Sequence, residues 1–327
     1  MRALSPAEHL GELEDAVDDL LGRYEVSDPA VRPGLWRALS EAGFTLLSIP
    51  ERAGGSGGDL ADAAAVLRRC GYAGVRLPLV ETLLAAWLCE QVDRPVPEGM
   101  SACGVAEAGT ATRLAWAGAA DDCVVLVHTD GAYSVSPAAT VATAETTLAG
   151  EPVGTATAGQ GTPTSVRAEE LRLRGAVLRA AMLLGAAQRA LDLAVQYSGE
   201  RVQFGKPIRA FQAVGHLLAG CAGQVVATSV ALDAALASLS DPGCEPERQE
   251  VAALVAVVEA TQMAGRLAAA THQVHGAIGF TAEHPLHLST TALWSWRDDY
   301  GNEFEWASRL ARIATAHGRD AWDLLAD

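Results

Sequence analysis

The chain has 327 residues, 50% of them hydrophobic and 20% charged, so it is long enough for two or three packed units with a sizeable core. Its net charge of −16, from 24 basic and 40 acidic residues, argues against a nucleic-acid binder, because phosphate binding needs a basic surface. Six cysteines without a CxxC or CxxH cluster predict free thiols in a reducing cytoplasm and no metal site. No signal peptide and no membrane span are expected, because the first residues are acidic and no run of about 18 uninterrupted apolar residues occurs.

Residues 1–98 are predicted to form short helices. Ser5-Pro6-Ala7-Glu8 combines a capping serine, a first-turn proline and a glutamate that completes a capping box. Further helices are predicted after Asp28-Pro29 up to Gly43, and over residues 59–70 and 78–92. The glycine-rich segment 50–58 indicates a connecting loop, since it lacks the Lys-Ser/Thr pair that a phosphate-binding P-loop needs.

Residues 99–166 change to Ala, Gly, Thr, Ser and Val, which is typical of a small β unit. Strands are predicted over residues 123–127 and 132–135, with Asp130-Gly131 as the turn between them, and near residues 139–142 and 152–157. Residues 158–165 indicate a linker to the next segment.

Residues 167–327 return to helical spacing. Long helices are predicted over residues 171–198, 210–238 and 246–275, and their short connections imply an antiparallel bundle. Gly276 and Gly279 are expected to end the third helix, and Pro285 to bar its immediate resumption. A last helix is predicted from about residue 303 to 324.

The segment ERVQFGKPIRAFQ, residues 200–212, carries side chains suited to a nucleotide. Arg201 lies just after a predicted helix and can make paired hydrogen bonds to a pyrophosphate. Phe204 offers a flat apolar face to an adenine or ribose edge, and Gln212 lies near the N-terminus of the next helix, which attracts anions. Each residue alone is better explained as a surface or core residue, but the ordered set favours a ligand.

A second segment, QVHGAIGFTAEHPLH at residues 273–287, adds an amide and a glycine turn. Gln273 supplies the amide, and Gly276 lets main-chain N–H groups approach a ligand without a Cβ in the way.

Together the two segments closely resemble the acyl-CoA dehydrogenase family, FAD enzymes that place a double bond between the α and β carbons of an acyl-CoA. The resemblance implies a mainly α fold with a small β unit: an N-terminal helical domain (1–98), a shortened middle β domain (99–166) and a C-terminal four-helix bundle (167–327). It also implies that the ADP end of FAD is bound by Arg201, Phe204, Gln212, Gln273, Gly276 and Ala277. Ala277 stands where the family usually has a second glycine.

The resemblance leaves the catalytic base without a counterpart. By counting from the second segment, Tyr300 occupies the usual glutamate position, and an alternative position used by a minority of the family falls near Gly175. Asp299 is the candidate for a displaced base, among neighbours Asp298, Glu303 and Glu305. The alternative is that these acids belong to a solvated helix start, where the helix dipole favours them. We therefore expect no catalytic residue other than, at most, Asp299.

Three functions stay open on this basis. The first is a half-site subunit that resembles the short chain of actinobacterial heteromeric (α2β2) dehydrogenases acting on steroid side-chain CoA thioesters. It would pair with a longer acyl-CoA dehydrogenase subunit, in the cytoplasm, with an electron-transfer flavoprotein as acceptor. The second is a self-sufficient homo-oligomeric dehydrogenase with a displaced base. The third is a flavin-free structural or regulatory homologue.

Overall fold

A computed structural model describes residues 6–316 of the protein, so the predicted Ser5 cap and the end of the predicted last helix lie outside the described residues. The chain divides into two compact units. The first contains the residues up to Leu67 and Val75–Leu178, and the second contains Arg68–Gly74 and the residues from Arg179 onward. The three-segment division stays a prediction from the sequence.

The predicted N-terminal helices are present. They are α1 (Pro6–Leu21), α2 (Arg32–Glu41), α3 (Leu60–Ala73) and α4 (Leu79–Glu90). α2 begins later than expected because Asp28 caps a short 3-10 turn first, its carboxylate accepting a hydrogen bond from the Ala30 N–H at 2.8 Å. Leu35, Trp36 and Leu39 form the buried face of α2, as their spacing predicts.

The glycine-rich segment 50–58 lies in the connection between α2 and α3 and packs tightly on itself. Ile49 forms an isolated β-bridge with Gly57, and the main chain folds back on itself between them. A Cβ on Gly55 would lie 2.2 Å from the Ile49 carbonyl oxygen, so only glycine fits at this approach.

The middle of the chain forms a small closed β-barrel. Its strands are β1 (Ser101–Glu107), β2 (Thr110–Ala115), β3 (Asp122–Thr129), β4 (Ala132–Thr146), β5 (Pro152–Ala158) and β6 (Thr162–Thr164). The order is β3-β1-β2-β5-β4-β6, and pairing of β3 with β4 closes the sheet. β1 and β3 are parallel and the other pairs are antiparallel. Small buried side chains such as Ala102, Ala106 and Ala156 fill the interior, which suits a barrel of this size.

Three details of the barrel differ from the sequence predictions. β1 and β2 were not predicted, because their Ala- and Gly-rich segment has few β-branched residues. Two predicted strands are one long strand, β4, whose first half pairs with β3 and whose second half pairs with β5. The predicted linker at 158–165 contains β6, in which Thr162 pairs with Val135.

The second unit is built mainly from the C-terminal helices, and the mainly α fold class is confirmed. They are α5 (Ala168–Glu200, whose first part belongs to the first unit), α6 (Gln212–Ser240), α7 (Pro246–His275), α8 (Leu286–Trp296) and α9 (Glu303–Ala316). As predicted, no α-helix resumes between Gly276 and Pro285, but the helix that follows Pro285, α8, was not predicted. α8 begins at the next residue, because a proline just before a helix breaks no intrahelical hydrogen bond.

Candidate functional site

Both segments that are predicted to bind a nucleotide lie at one end of the helices of the second unit. α6 and α7 pack together and are joined by a short loop, so they are antiparallel and the start of α6 lies beside the end of α7. The ring of Tyr197, in the last turn of α5, stacks on the ring of His275, the last residue of α7, with centroids 4.7 Å apart. The end of α5, the start of α6 and the end of α7 therefore meet.

The first segment is a β-hairpin that connects α5 to α6. β7 (Val202–Gln203) pairs with β8 (Lys206–Pro207), and Phe204 and Gly205 form the turn with φ of 51° and 79°. Left-handed backbone at both central positions is the geometry of a tight two-residue hairpin turn. The turn leaves Phe204 93% exposed, so its ring is presented to a ligand or another chain instead of to the core.

The hairpin concentrates positive charge in an acidic protein. Arg201, Lys206 and Arg209 are all exposed. The hairpin then leads into Gln212, the exposed first residue of α6, and the preceding Phe211 makes no side-chain cap. The first N–H groups of a helix lack intrahelical acceptors and carry the positive end of its dipole. Exposed cations next to such a helix start can hold a phosphate or pyrophosphate.

The second segment presents an amide and an open main chain. Gln273 is exposed in the last turn of α7, and Gly276 caps the helix with φ of 64° and ψ of −141°. No described atom lies within 4 Å of where a Gly276 Cβ would be, so glycine is favoured here by its positive φ and not by crowding. The space beside the main chain at Gly276 is open. Ala277 is exposed in the 3-10 turn that follows.

The candidate displaced base, Asp299, which precedes Tyr300 in the chain, takes part in an ion pair. Asp299 Oδ2 lies 3.0 Å from the Nε of Arg179 on α5, and the Arg179 side chain is only 3% exposed. The guanidinium carbon lies 5.3 Å from the ring centroid of Trp296 and 5.9 Å from that of Tyr300. Asp299 therefore neutralises a buried cation, and taking up a substrate proton would break that pairing. A base role for Asp299 stays a hypothesis.

The other acids near this position belong to helix ends and surface pairs. Asn302 and Glu305 form a reciprocal capping box at the start of α9, with two hydrogen bonds of 3.0 Å. Asp298 lies 3.5 Å from the Nε of Arg297. At the alternative position, Gly175 is buried within α5 and provides no carboxylate. Within residues 6–316, no group of three or more His, Cys, Asp or Glu side chains could hold a metal ion.

The sequence interpretation missed several side chains that shape this end of the bundle. Arg179 and Tyr197 were not recognised, because each contacts a residue far away in the chain. The histidines had a visible signal, since four of the eight histidines lie between residues 272 and 287. His275, His284 and His287 belong to the second segment and His272 directly precedes it, and three of the four make ring contacts there.

Comparison with known proteins gives a consistent family assignment. Residues 13–92 match the family "Acyl-CoA dehydrogenase, N-terminal domain", and residues 169–294 match "Acyl-CoA dehydrogenase, C-terminal domain". The acyl-CoA dehydrogenase IpdE2 of Mycobacterium tuberculosis is 32% identical over 309 residues, covering 87% of this chain and 91% of the relative. IpdE2 of Mycolicibacterium smegmatis is 32% identical over 264 residues, covering 78% and 80%.

Solved structures share the fold at lower identity. The ChsE4-ChsE5 complex from Mycobacterium tuberculosis superposes with a TM-score of 0.84 at 22% identity, covering 98% of this chain and 100% of that chain. A variant of the Tcur3481-Tcur3483 steroid ACAD has a TM-score of 0.81 at 23% identity, covering 96% and 99%.

Proposed function

Because the chain belongs to the acyl-CoA dehydrogenase family of oxidoreductases that act on CH–CH groups, we propose that it is the half-site subunit of an FAD-dependent member. In this proposal it binds the nucleotide end of FAD, and a longer homologous subunit in an α2β2 assembly supplies the catalytic base. One observation supports it above all. The hairpin and turn that suit a nucleotide are intact, whereas Tyr300 stands at the usual position of the base and the candidate Asp299 is paired with Arg179.

The residues present fit the ADP end of FAD. Arg201 and the start of α6 at Gln212 offer charge and N–H donors to the pyrophosphate, and Phe204 offers a flat face to the adenosine. Gln273 and the main chain at Gly276-Ala277 add donors from the other segment. When bound, FAD supplies the hydride acceptor for α,β-desaturation of an acyl-CoA, and the side chains of this chain bind and orient its nucleotide end.

The exposed face of α6 supports the proposal that a partner subunit binds this chain. The only Asp, Glu, Lys or Arg in this helix is Asp233, and Val226 and Val230 are 62% and 64% exposed. From residue 219 to residue 237 the exposed positions recur every three to four residues and, apart from Asp233, are small or apolar: Ala219, Gly220, Gly223, Val226, Ala227, Val230, Ala234 and Ala237. A long apolar stripe of this kind is typical of a surface that another subunit covers, and its small residues allow a helix to approach closely.

The same composition raises the question of a membrane. By length and composition, α6 and the stretch Pro246–Phe280 could each cross a membrane. The most apolar part of Pro246–Phe280 is 61% buried within the protein, whereas that of α6 is only 28% buried. The opposite face of α6 already packs in the bundle through Cys221, Val225 and Leu232. A partner helix covers the remaining stripe without lipid, so the proposal includes no membrane contact and places the protein in the cytoplasm.

The substrate and the electron acceptor are also part of the proposal. The similar structures include one named as a steroid ACAD and one named as a complex of two chains, which supports a bulky steroid side-chain CoA thioester and a heteromeric enzyme. An electron-transfer flavoprotein, the usual acceptor in the family, is the proposed electron acceptor.

The two alternatives fit the structure less well. A self-sufficient enzyme would use Asp299 as its base, but that carboxylate is paired with a buried guanidinium. A flavin-free homologue would have no reason to keep the strained Phe204-Gly205 turn, the exposed cations and the uncapped start of α6 together.

The test is to purify the chain alone and together with a longer acyl-CoA dehydrogenase encoded beside it. Flavin absorbance and acyl-CoA oxidation are recorded for both preparations. Colourless chain alone and yellow, active complex support the proposal. Yellow, active chain alone would support the self-sufficient enzyme, and absence of flavin from both would support the flavin-free homologue.

A sharper test is Arg201→Ala in the complex. Loss of a hydrogen bond to a charged group costs about 1.5–3 kcal/mol, which corresponds to roughly 10- to 150-fold weaker FAD binding. Arg113→Ala is the matched control, because this exposed arginine pairs with Glu145 on the barrel. Equal FAD affinity of the Arg201→Ala and Arg113→Ala complexes would contradict the role of Arg201.

A further inference from the structure

We propose that the stacked rings of Tyr197, His275 and His284 position the two FAD-binding segments relative to each other, and that protonation of this stack releases FAD as the pH falls. The inference rests on the proposed function, in which residues 201–212 and 273–277 hold the nucleotide end of FAD. Tyr197, His275 and His284 are proposed as positioning residues, and the proposal assigns their side chains no contact with the cofactor.

The stack joins the two segments directly. Tyr197 precedes the hairpin by one helical turn, and its carbonyl accepts a hydrogen bond from the Arg201 N–H at 2.8 Å. His275 immediately precedes Gly276, and its ring lies nearly parallel to the Tyr197 ring, with centroids 4.7 Å apart and planes at 20°. His284 contacts both rings edge-on, with its centroid 4.5 Å from His275 and 6.1 Å from Tyr197. A shift of either segment would therefore break these ring contacts.

His275 is placed where a charge is costly. The residue is 3% exposed, and its Nδ1 lies 2.7 Å from the Thr271 carbonyl, to which it donates. Its Nε2 is buried and has no hydrogen-bond partner among the described residues. Burial lowers the pKa of His275, the neighbouring His284 and His272 lower it further, and the carbonyls of Thr271 and Leu193 oppose the shift. A second ring proton would thus place a charge inside the buried stack, where only main-chain carbonyls oppose the cost of burial.

The groups around His275 reinforce this effect. From α7, His272 stacks on Phe280 with centroids 4.3 Å apart and lies 3.0 Å from the Thr290 hydroxyl. From the segment before α8, the Nδ1 of His284 accepts a hydrogen bond from the Leu286 N–H at 3.2 Å.

From α8, the His287 Nδ1 donates to the His284 carbonyl at 2.8 Å. From α5, the neutral Tyr197 ring and the Leu193 carbonyl face the stack, and neither carries a charge. Among the described residues, none of the four histidines is paired with a carboxylate, and Glu283, the acid next to His284 in sequence, is exposed. Protonation of one imidazole would therefore meet other imidazoles and no compensating anion.

The direction of the pH effect follows from these contacts. The pKa values of His272, His275 and His284 all lie below the ordinary value of 6.5, because burial disfavours the charged ring. A histidine whose pKa is lowered in the folded state makes its full contribution to stability at pH values above its ordinary pKa of 6.5. That contribution is lost as the pH falls below 6.5 toward the lowered pKa. FAD release is therefore expected on the acid side of neutrality and not on the alkaline side.

The experiment uses the co-expressed complex loaded with FAD and follows the fluorescence of released FAD from about pH 8 to about pH 5. His275→Phe keeps a ring for stacking but cannot be protonated, so its complex should retain more FAD at low pH than the wild type. His275→Ala removes the ring and should release FAD across the whole range. Tyr197→Leu should weaken FAD retention at about pH 8, and Tyr197→Phe should restore it.

His128→Phe is the matched control, because His128 stacks on Tyr133 in the barrel with centroids 4.6 Å apart and planes at 19°. Its FAD release should follow the wild-type pH profile. Far-UV circular dichroism at about pH 8 shows whether each variant is folded; if His275→Phe is not, the Tyr197→Leu and Tyr197→Phe pair decides.

A flat wild-type profile, or equal acid release from the wild-type and His275→Phe complexes, overturns the inference while the proposed function stands. A complex that contains no FAD at about pH 8, or that holds FAD equally well with Arg201→Ala, overturns the proposed function and this inference with it.

Discussion

Replacing Asp299 with alanine in the complex is expected to destabilise the chain without removing a catalytic group. The Asp299 carboxylate lies 3.0 Å from the Arg179 Nε, and that side chain is 3% exposed. An arginine does not lose its proton inside a protein, so the guanidinium would stay charged beside Trp296 and Tyr300 after its carboxylate partner is removed.

The magnitude follows from the burial of the two partners. Removing one side of a buried ion pair costs about 3–5 kcal/mol. We take the lower end, about 3 kcal/mol, because the Asp299 side chain is 18% exposed and water reaches part of the space it leaves. With a urea m-value of about 3 kcal/mol/M for a large chain, the unfolding midpoint should fall by about 1 M. Arg179→Met with Asp299→Ala removes both charges and should recover about 2 kcal/mol of that loss.

The assay compares urea unfolding of the complexes, followed by tryptophan fluorescence at one protein concentration, with the desaturation rate per bound FAD. Asp298→Ala is the matched control, since this neighbouring carboxylate is 51% exposed and its pairing with Arg297 should contribute less than about 1 kcal/mol. The reasoning is refuted if Asp299→Ala keeps the wild-type unfolding midpoint but loses desaturation activity, and if the double variant Arg179→Met with Asp299→Ala also lacks desaturation activity. That result would identify Asp299 as the base.

Two further sets of substitutions test the proposed nucleotide-binding turn and the proposed partner surface. Gly276→Ala should cost about 1–3 kcal/mol through backbone strain alone, because φ is 64° and ψ is −141° and no described atom crowds the added methyl group. Its complex should show a lower melting temperature and weaker FAD binding; unchanged values for both would argue against a conformational role for the glycine. Val226→Glu combined with Val230→Glu places two charges on the exposed stripe of α6 and should dissociate the complex while the chain stays folded, as measured by size-exclusion chromatography with light scattering. Val141→Glu on the barrel, where the side chain is 40% exposed, is the control, and an intact complex with the α6 double variant would show that the stripe is not the partner surface.

The local signals in the sequence were sufficient for the long C-terminal helices, although α8 was not predicted. α5, α6 and α7 end within a few residues of their predicted limits, because a long apolar stripe and its capping residues are written in consecutive positions. The hairpin at 202–207 was not itself predicted, although it too is formed by chain neighbours. Its turn residues, its cations and the start of α6 are neighbours in the chain, so their proximity needs no tertiary information.

Contacts between distant residues were decided by the tertiary structure alone. β4 changes partner from β3 to β5 along its length, and β6 gains its pairing only because the barrel closes beside it. The local pattern around Asp299 is equally compatible with a base and with a helix start, and only the arrival of Arg179 from α5 makes it the counter-ion of a buried cation. Tyr197 and His275 likewise meet because α5 and α7 end side by side. Chain neighbours are constrained by the backbone itself, whereas these pairs exist only once the helices have packed, so no spacing in the sequence could reveal them.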